Sequence, residues 1–216
     1  MRQSVQYIKW SNRIVKADLH NHSTVSDGSD TIGQLIDIAR NKGLDAIAIT
    51  EHDTLSHMAQ IPADTGIQVI AGVEISAVHR KTNTRAHILG YAIKRAEIIT
   101  ALTQPILEAR NINSEKQADI LIKAGFTIDM AKLPRADGKY LYKQHIMDWL
   151  VATGQVPDMF GEFYQKTFKN GGICAFDIKY VDGGEGGKRS GRSCRACTSG
   201  AATEFLSYTG ACRNRS

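Results

Sequence analysis

The stretch Ala17-Asp18-Leu19-His20-Asn21-His22-Ser23-Thr24-Val25-Ser26-Asp27-Gly28 decides how the rest of the chain is read. It follows the apolar pair Ile14-Val15, and residues 14–19 read as a strand that runs into a polar loop. Along a strand, side chains at i and i+2 share a face. His20 and His22 can therefore aim at one point while Asn21 points away. Asp27-Gly28 supplies a turn with a carboxylate at its rim. Neutral imidazoles and a carboxylate suit a divalent metal such as zinc, manganese or iron. Two histidines beside a turn also occur as ordinary surface or core residues, so the remainder of the chain has to carry the argument.

Working outward, residues 31–42 read as a helix, with Ile32, Leu35, Ile36, Ile38 and Ala39 at helical spacing, Asp30 as its N-cap and Gly43 as its stop. The run Ala46-Ile47-Ala48-Ile49-Thr50 is nearly all apolar, which fits a strand covered on both faces in a parallel sheet. Glu51-His52-Asp53 stands at its C-terminal end. Residues 67–74 form a third apolar strand ending on Glu74, and 75–78 continue extended. Thr82-Asn83-Thr84 makes a turn, and residues 86–91 return as a strand that carries His87. Three times a metal-ligand type follows or ends an apolar strand, and in α/β barrels the strand C-termini and their loops build the site.

Residues 96–125 are helical in pattern, with a break expected at Pro105. Residues 126–168 read as an inserted helical subdomain whose clearest helix spans about 144–152, and 171–176 lead back towards the barrel. The expected organisation is residues 1–95 as the first part of a barrel with the metal motifs, 96–170 as the helical insertion, 171–182 as the return, and 183–216 as a non-native or disordered tail.

Composition sets further bounds. A chain of 216 residues can bury a full core. No apolar run is long enough to span a bilayer, and the first residues lack the apolar stretch of a signal peptide, so a cytoplasmic protein with no membrane partner is expected. The net charge of +5 and pI near 9.0 point at first to nucleic acid. Their distribution undercuts this, because residues 183–216 hold six basic and two acidic residues and so carry +4 of the +5. A near-neutral body does not favour binding of long polymers. The same segment has no Ile or Val, and neither a helical nor a strand period. Cys194-x-x-Cys197 within it has zinc or redox spacing but no supporting context.

Taken together, Asp18-Leu19-His20-Asn21-His22-Ser23, Ser26-Asp27-Gly28, Thr50-Glu51-His52-Asp53, Gly72-Val73-Glu74 and His87-Ile88-Leu89-Gly90-Tyr91 make the chain resemble the PHP (polymerase and histidinol phosphatase) family over residues 14–182. The insertion, with Lys143-Gln144-His145-Ile146 opening a helix, looks like that of the stand-alone phosphoesterases of the family. The resemblance implies an α/β fold, a PHP-type distorted (β/α)7 barrel, here incomplete at its C-terminus and bearing a helical insertion. It implies up to three divalent metal ions, manganese, zinc or iron. By match, His20 and His22 bind one metal, Glu74 bridges two, and Asp27, His52 and His87 complete the others. His145 is the expected substrate contact from the insertion. Glu51 and Asp53 either orient the imidazoles or are ordinary loop acids, and His57 and His79 are expected in solvent.

The activity implied is hydrolysis of a phosphate ester of a small molecule such as a nucleotide, by attack of a metal-bridging hydroxide. Two alternatives stay open: a 5′-to-3′ exonuclease on RNA or DNA ends, and a non-catalytic metal-binding module. Oligomeric state is not legible. Family members carry later ligands, a histidine in an Ala-His-Pro-Gly-like motif and an Asp-x-His motif, and this chain has neither. Residues 196–200 can be encoded so that reading one base later gives Leu-Ala-His-Pro-Gly, so the segment from 183 onward is expected to be the product of a reading-frame shift.

Overall fold

The computed structural model of the protein describes residues 5–10, 13–79, 82–169, 171–176 and 180–182. The expected tail 183–216, with Cys194, Cys197 and Cys212, lies outside the described residues. The described residues fall into two compact units, one made of those up to 104 together with 180–182, the other of residues 105–176.

The first unit is built on one mixed sheet. Strand β1 (Val5–Trp10) pairs antiparallel with β2 (Arg13–Asn21). Next come β3 (Ala46–His52), parallel to β2, and β4 (Gln68–His79), parallel to β3, and then β5 (Thr84–Tyr91), antiparallel to β4. The short β6 (Val181–Asp182) pairs parallel with β4. Strand β1 is not legible in the sequence, because its six residues mix polar and apolar types and the run is too short to show a period.

Burial explains the central strand. Residues 46–51 of β3 are each no more than 3% exposed, as a strand covered on both faces requires. One cover is helix α1 (Ile32–Asn41), whose Leu35 and Ala39 pack with Leu44, Ile47 and Ile49. Fully burying a Leu or Ile stabilises by roughly 1.5–3 kcal/mol, so this seam fixes the helix on the sheet. Its N-cap is Thr31, not Asp30. Thr31 adopts the extended backbone of a cap, its hydroxyl accepts from the Gln34 N–H, and the Gln34 side chain accepts from the Thr31 N–H. Asp30 instead lends its carbonyl to the Thr24 N–H at 2.9 Å, closing the preceding loop. Gly43 ends the helix with φ +65°, a conformation that favours glycine.

Helix α2 (Ala96–Lys123) begins in the first unit, where Ile99 packs with Leu55, Val73 and Ile75. It runs through Pro105 without ending, contrary to the break the sequence suggests. Proline removes one backbone donor, and a helix packed on both sides of that loss need not end there. The second unit packs the remainder of α2 with α3 (Lys143–Ala152) and α4 (Glu162–Phe168) around Leu121, Leu141, Ile146, Met147, Leu150 and Phe168. Residues 171–176 form turns, and Cys174 is buried in this same core. Among the described residues, no helix is long and apolar enough to cross a membrane.

Candidate metal centre

Strand register assembles the cluster. The parallel ladder between β3 and β4 ends where His52 pairs with Glu74, so these two residues are lateral neighbours. The extended continuation read beyond Glu74 is part of the same strand: β4 runs to His79, and that extension pairs with β5. There His87 lies opposite Ser76, which shares a face with Glu74 at i+2. On the other side, β2 meets β3 with a register shift between Asp18 and Asn21. Asn21 Nδ2 donates to the Ala48 carbonyl at 3.2 Å, and Thr50 Oγ1 donates to the Asn21 carbonyl at 3.2 Å, pinning the strands just beyond that shift. His20 and His22, flanking Asn21, then face Glu74.

The structure brings all six expected ligands together in three overlapping groups: His20, His22 and Glu74; His22, Asp27 and His52; His52, Glu74 and His87. Glu74 Oε2 lies 2.8 Å from His20 Nε2, 2.8 Å from His22 Nε2 and 3.5 Å from His52 Nδ1. Its other oxygen, Oε1, is in contact with His87 Nδ1. His20 Nε2 and His22 Nε2 are themselves 3.1 Å apart. Three donors about 2.0–2.2 Å from one ion stand roughly 2.8–3.5 Å from one another at ordinary coordination angles. The first group has that spacing, and its nitrogen and oxygen donors, with no sulfur, suit zinc, manganese or iron. Asp27 sits further out, 3.7 Å from His22 Nδ1 and 3.6 Å from His52 Nε2. Glu74 thus directs Oε2 to His20, His22 and His52 and Oε1 to His87. Its side chain is 3% exposed, whereas those of His20 and His87 are 42% and 48% exposed, so the cluster is open to solvent on their side.

Electrostatics favours this arrangement. Burial alone would raise the Glu74 carboxyl, but hydrogen bonds from His20, His22 and His87 and the field of His52 outweigh it and hold the group ionised far below the usual carboxylate range. Burial alone would lower His22, but its hydrogen bond to Glu74 and the fields of Asp27, Glu74 and Glu51 raise it. Protons and cations therefore compete for the same imidazole lone pairs.

Several polar groups around the cluster are buried and tied. Glu51, fully buried, accepts hydrogen bonds from Ser23 and Ser26. Asp53, also fully buried and with φ 58°, accepts from the Ser76 N–H at 2.8 Å and the Ser76 hydroxyl at 2.9 Å. Neither was assignable from sequence beyond lying next to His52. Tyr91 donates to the Leu19 carbonyl at 2.6 Å, immediately before His20, and burial, with Glu74 and Asp18 nearby, pushes its hydroxyl up to about 12. No motif singles out that role, since it depends on contact between residues 72 positions apart.

The other histidines divide. His145 lies in the second unit, is 5% exposed, and accepts from the Tyr142 N–H at 3.3 Å at the start of α3. His79 is half-buried, with its Nδ1 2.7 Å from the Thr82 hydroxyl. His57, expected in solvent, is fully buried instead. Its chain segment, a 3₁₀ turn over Ser56–Gln60, follows the buried Leu55 and is drawn into the interior with it.

Comparison with known proteins places these features. The sequence profile described as "PHP domain" matches residues 18–179. A phosphoribosyl 1,2-cyclic phosphate 1,2-diphosphodiesterase of Eggerthella lenta is 40% identical over 172 residues, covering 76% of this chain and 65% of that protein. A 5′-3′ exoribonuclease of Haemophilus influenzae is 36% identical over 150 residues, covering 65% and 52%. The chain thus spans between about half and two thirds of the length of these relatives. Among solved structures, an amidohydrolase from Chromobacterium violaceum with bound sulfate superposes with a TM-score of 0.67 at 26% identity, covering 77% of this chain and 60% of that one.

Proposed function

The chain belongs to the PHP domain family, and on that premise we propose that it is a metal-dependent phosphoesterase acting on a small phosphorylated molecule such as a nucleotide. The observation that carries this reading is Glu74, whose two oxygens are shared among four imidazoles at coordination spacing. In this reading His20, His22 and Glu74 hold one cation, and Asp27, His52 and His87 complete further positions. Bound divalent cations would supply Lewis-acid neutralisation of phosphoryl charge and a water acidic enough to act as nucleophile at neutral pH.

The chain's own residues do the rest. Glu74 stays ionised and presents both oxygens to the cluster. His20 on β2, His22 just past it, His52 on β3 and His87 on β5 present their imidazoles to one cluster. His20 and His87, the most exposed of them, border the open side through which a phosphate ester would approach. The sheet is read as the first part of the family's distorted barrel.

The 36% identity to an exoribonuclease favours a second reading, in which the phosphate belongs to a nucleic-acid end. The test is metal analysis of the purified protein followed by phosphate and nucleotide release from mononucleotides, sugar phosphates and 5′-phosphorylated oligonucleotides in manganese. Release from small esters supports the first reading, and release confined to oligonucleotides supports the second. Metal uptake without release from either would make the chain a non-catalytic module.

A further inference from the structure

We propose that Glu51, which stands in none of the three ligand groups, is a positioning residue that presets His22 and Asp27 by clamping the loop between them. The inference rests on the metal-centre reading above. Adjacent residues of a strand face opposite sides, so where His52 faces the cluster, Glu51 faces away from it. There it meets the loop that leaves β2. Glu51 Oε1 accepts from the Ser23 N–H at 3.0 Å, and Oε2 from the same N–H at 3.2 Å. The Ser23 hydroxyl donates to Oε1 and the Ser26 hydroxyl to Oε2. Ser23 directly follows His22, and Ser26 directly precedes Asp27.

The loop then closes on the clamped serine. The Ser23 carbonyl accepts from the Ser26 N–H at 3.1 Å and the Gly28 N–H at 2.9 Å, and the Ser23 hydroxyl oxygen accepts from the Val25 N–H at 3.1 Å. Ser23, Ser26 and Glu51 are all 0% exposed. A buried carboxylate is costly unless its oxygens are satisfied, and hydrogen bonds to an ionised acceptor are about twice as strong as neutral ones. Two serine hydroxyls and one amide donate to this one and offset part of the cost of its burial. The consequence is that two ligands from a seven-residue loop (22–28) are held by a residue of β3 before any cation binds.

The test uses the whole chain and two readouts: amide hydrogen exchange over residues 22–28 without added metal, and manganese affinity by competition with a fluorescent chelator. Glu51→Ala should speed exchange across the loop and weaken manganese binding about 10- to 100-fold, the range typical for groups that orient ligands. Glu51→Gln should recover most of both, since its amide oxygen still accepts from Ser23 and its NH₂ can donate to the Ser26 hydroxyl oxygen. If Glu51→Ala does not fold, Ser26→Ala removes one arm of the clamp and should give the same changes to a lesser degree. Unchanged loop exchange, or a lowered melting temperature with unchanged manganese affinity, would overturn the proposal. Should the unsubstituted protein take up no manganese, the metal reading fails, and the exchange result alone upholds or overturns the clamp.

Discussion

Glu74 and His57 are both buried, and they differ in what burial does to them. Around Glu74, three imidazole hydrogen bonds outweigh desolvation, so the carboxylate persists in the interior. Replacing Glu74 or His20 by Ala should abolish stoichiometric metal binding while shifting the melting temperature of the metal-free protein by only a few degrees. The cluster sits beyond the apolar seams, and about 1 kcal/mol corresponds to roughly 2–4 °C in a chain of this size. Metal analysis with a thermal melt checks this, and full metal content in both variants would refute the ligand assignment. Among the described residues His57 has no such partners. Neither ring nitrogen makes a hydrogen bond of ordinary geometry with them, and burial, offset only in part by the Ile49 backbone, lowers its pKa to about 4. A histidine whose folded pKa lies below its unfolded value of 6.5 contributes stability that is present above pH 6.5 and is lost as pH falls towards 4. At 1.36 kcal/mol per pH unit the loss is on the order of 3 kcal/mol. Urea melts should show this decline in the parent protein and a flatter profile in His57→Leu.

At the scale of elements, the cap of α1 and the loop before it make separate predictions. Thr31→Ala removes one arm of the reciprocal pair with Gln34 and should cost about 1 kcal/mol in denaturant melts, with metal affinity unchanged. Gly28 tolerates no side chain, because a Cβ there would collide with the carbonyl of His22. Gly28→Ala should therefore force the loop open, lowering metal affinity more than stability. The two substitutions lie three residues apart, so a titration of both separates helix stability from loop geometry. The helix and β3 are legible from periodicity and apolar content. Thr31 as the cap is not, because Asp30 and Thr31 are both good caps, and only the backbone conformation decides between them.

For the whole molecule, the first unit carries six candidate ligand residues on or beside four strands and in one loop, and the family's later motifs are missing from the chain. We expect the coding DNA to show, in its second frame downstream of the Asp182 codon, an uninterrupted reading with His-Pro-Gly codons over residues 196–200. Stops in that frame would show the written segment to be native. We also expect the chain as written to turn over phosphate esters far more slowly than a version with the full ligand set under saturating manganese, and comparable turnover would show that the early ligands suffice.

The sequence by itself determined the local pieces: which runs are apolar on both faces and where α1 lies. These follow from periods of two and 3.6 and from side-chain type, which neighbours in the chain suffice to show. Only the tertiary structure decided that His57 is inside, that Ser76 of β4 stands opposite His87, and that α2 continues through Pro105. It alone decided that Glu51 holds two serines 25 and 28 residues away. Each of these depends on which side of a strand or turn meets a distant segment, and register and burial between distant segments leave no period in the sequence to read.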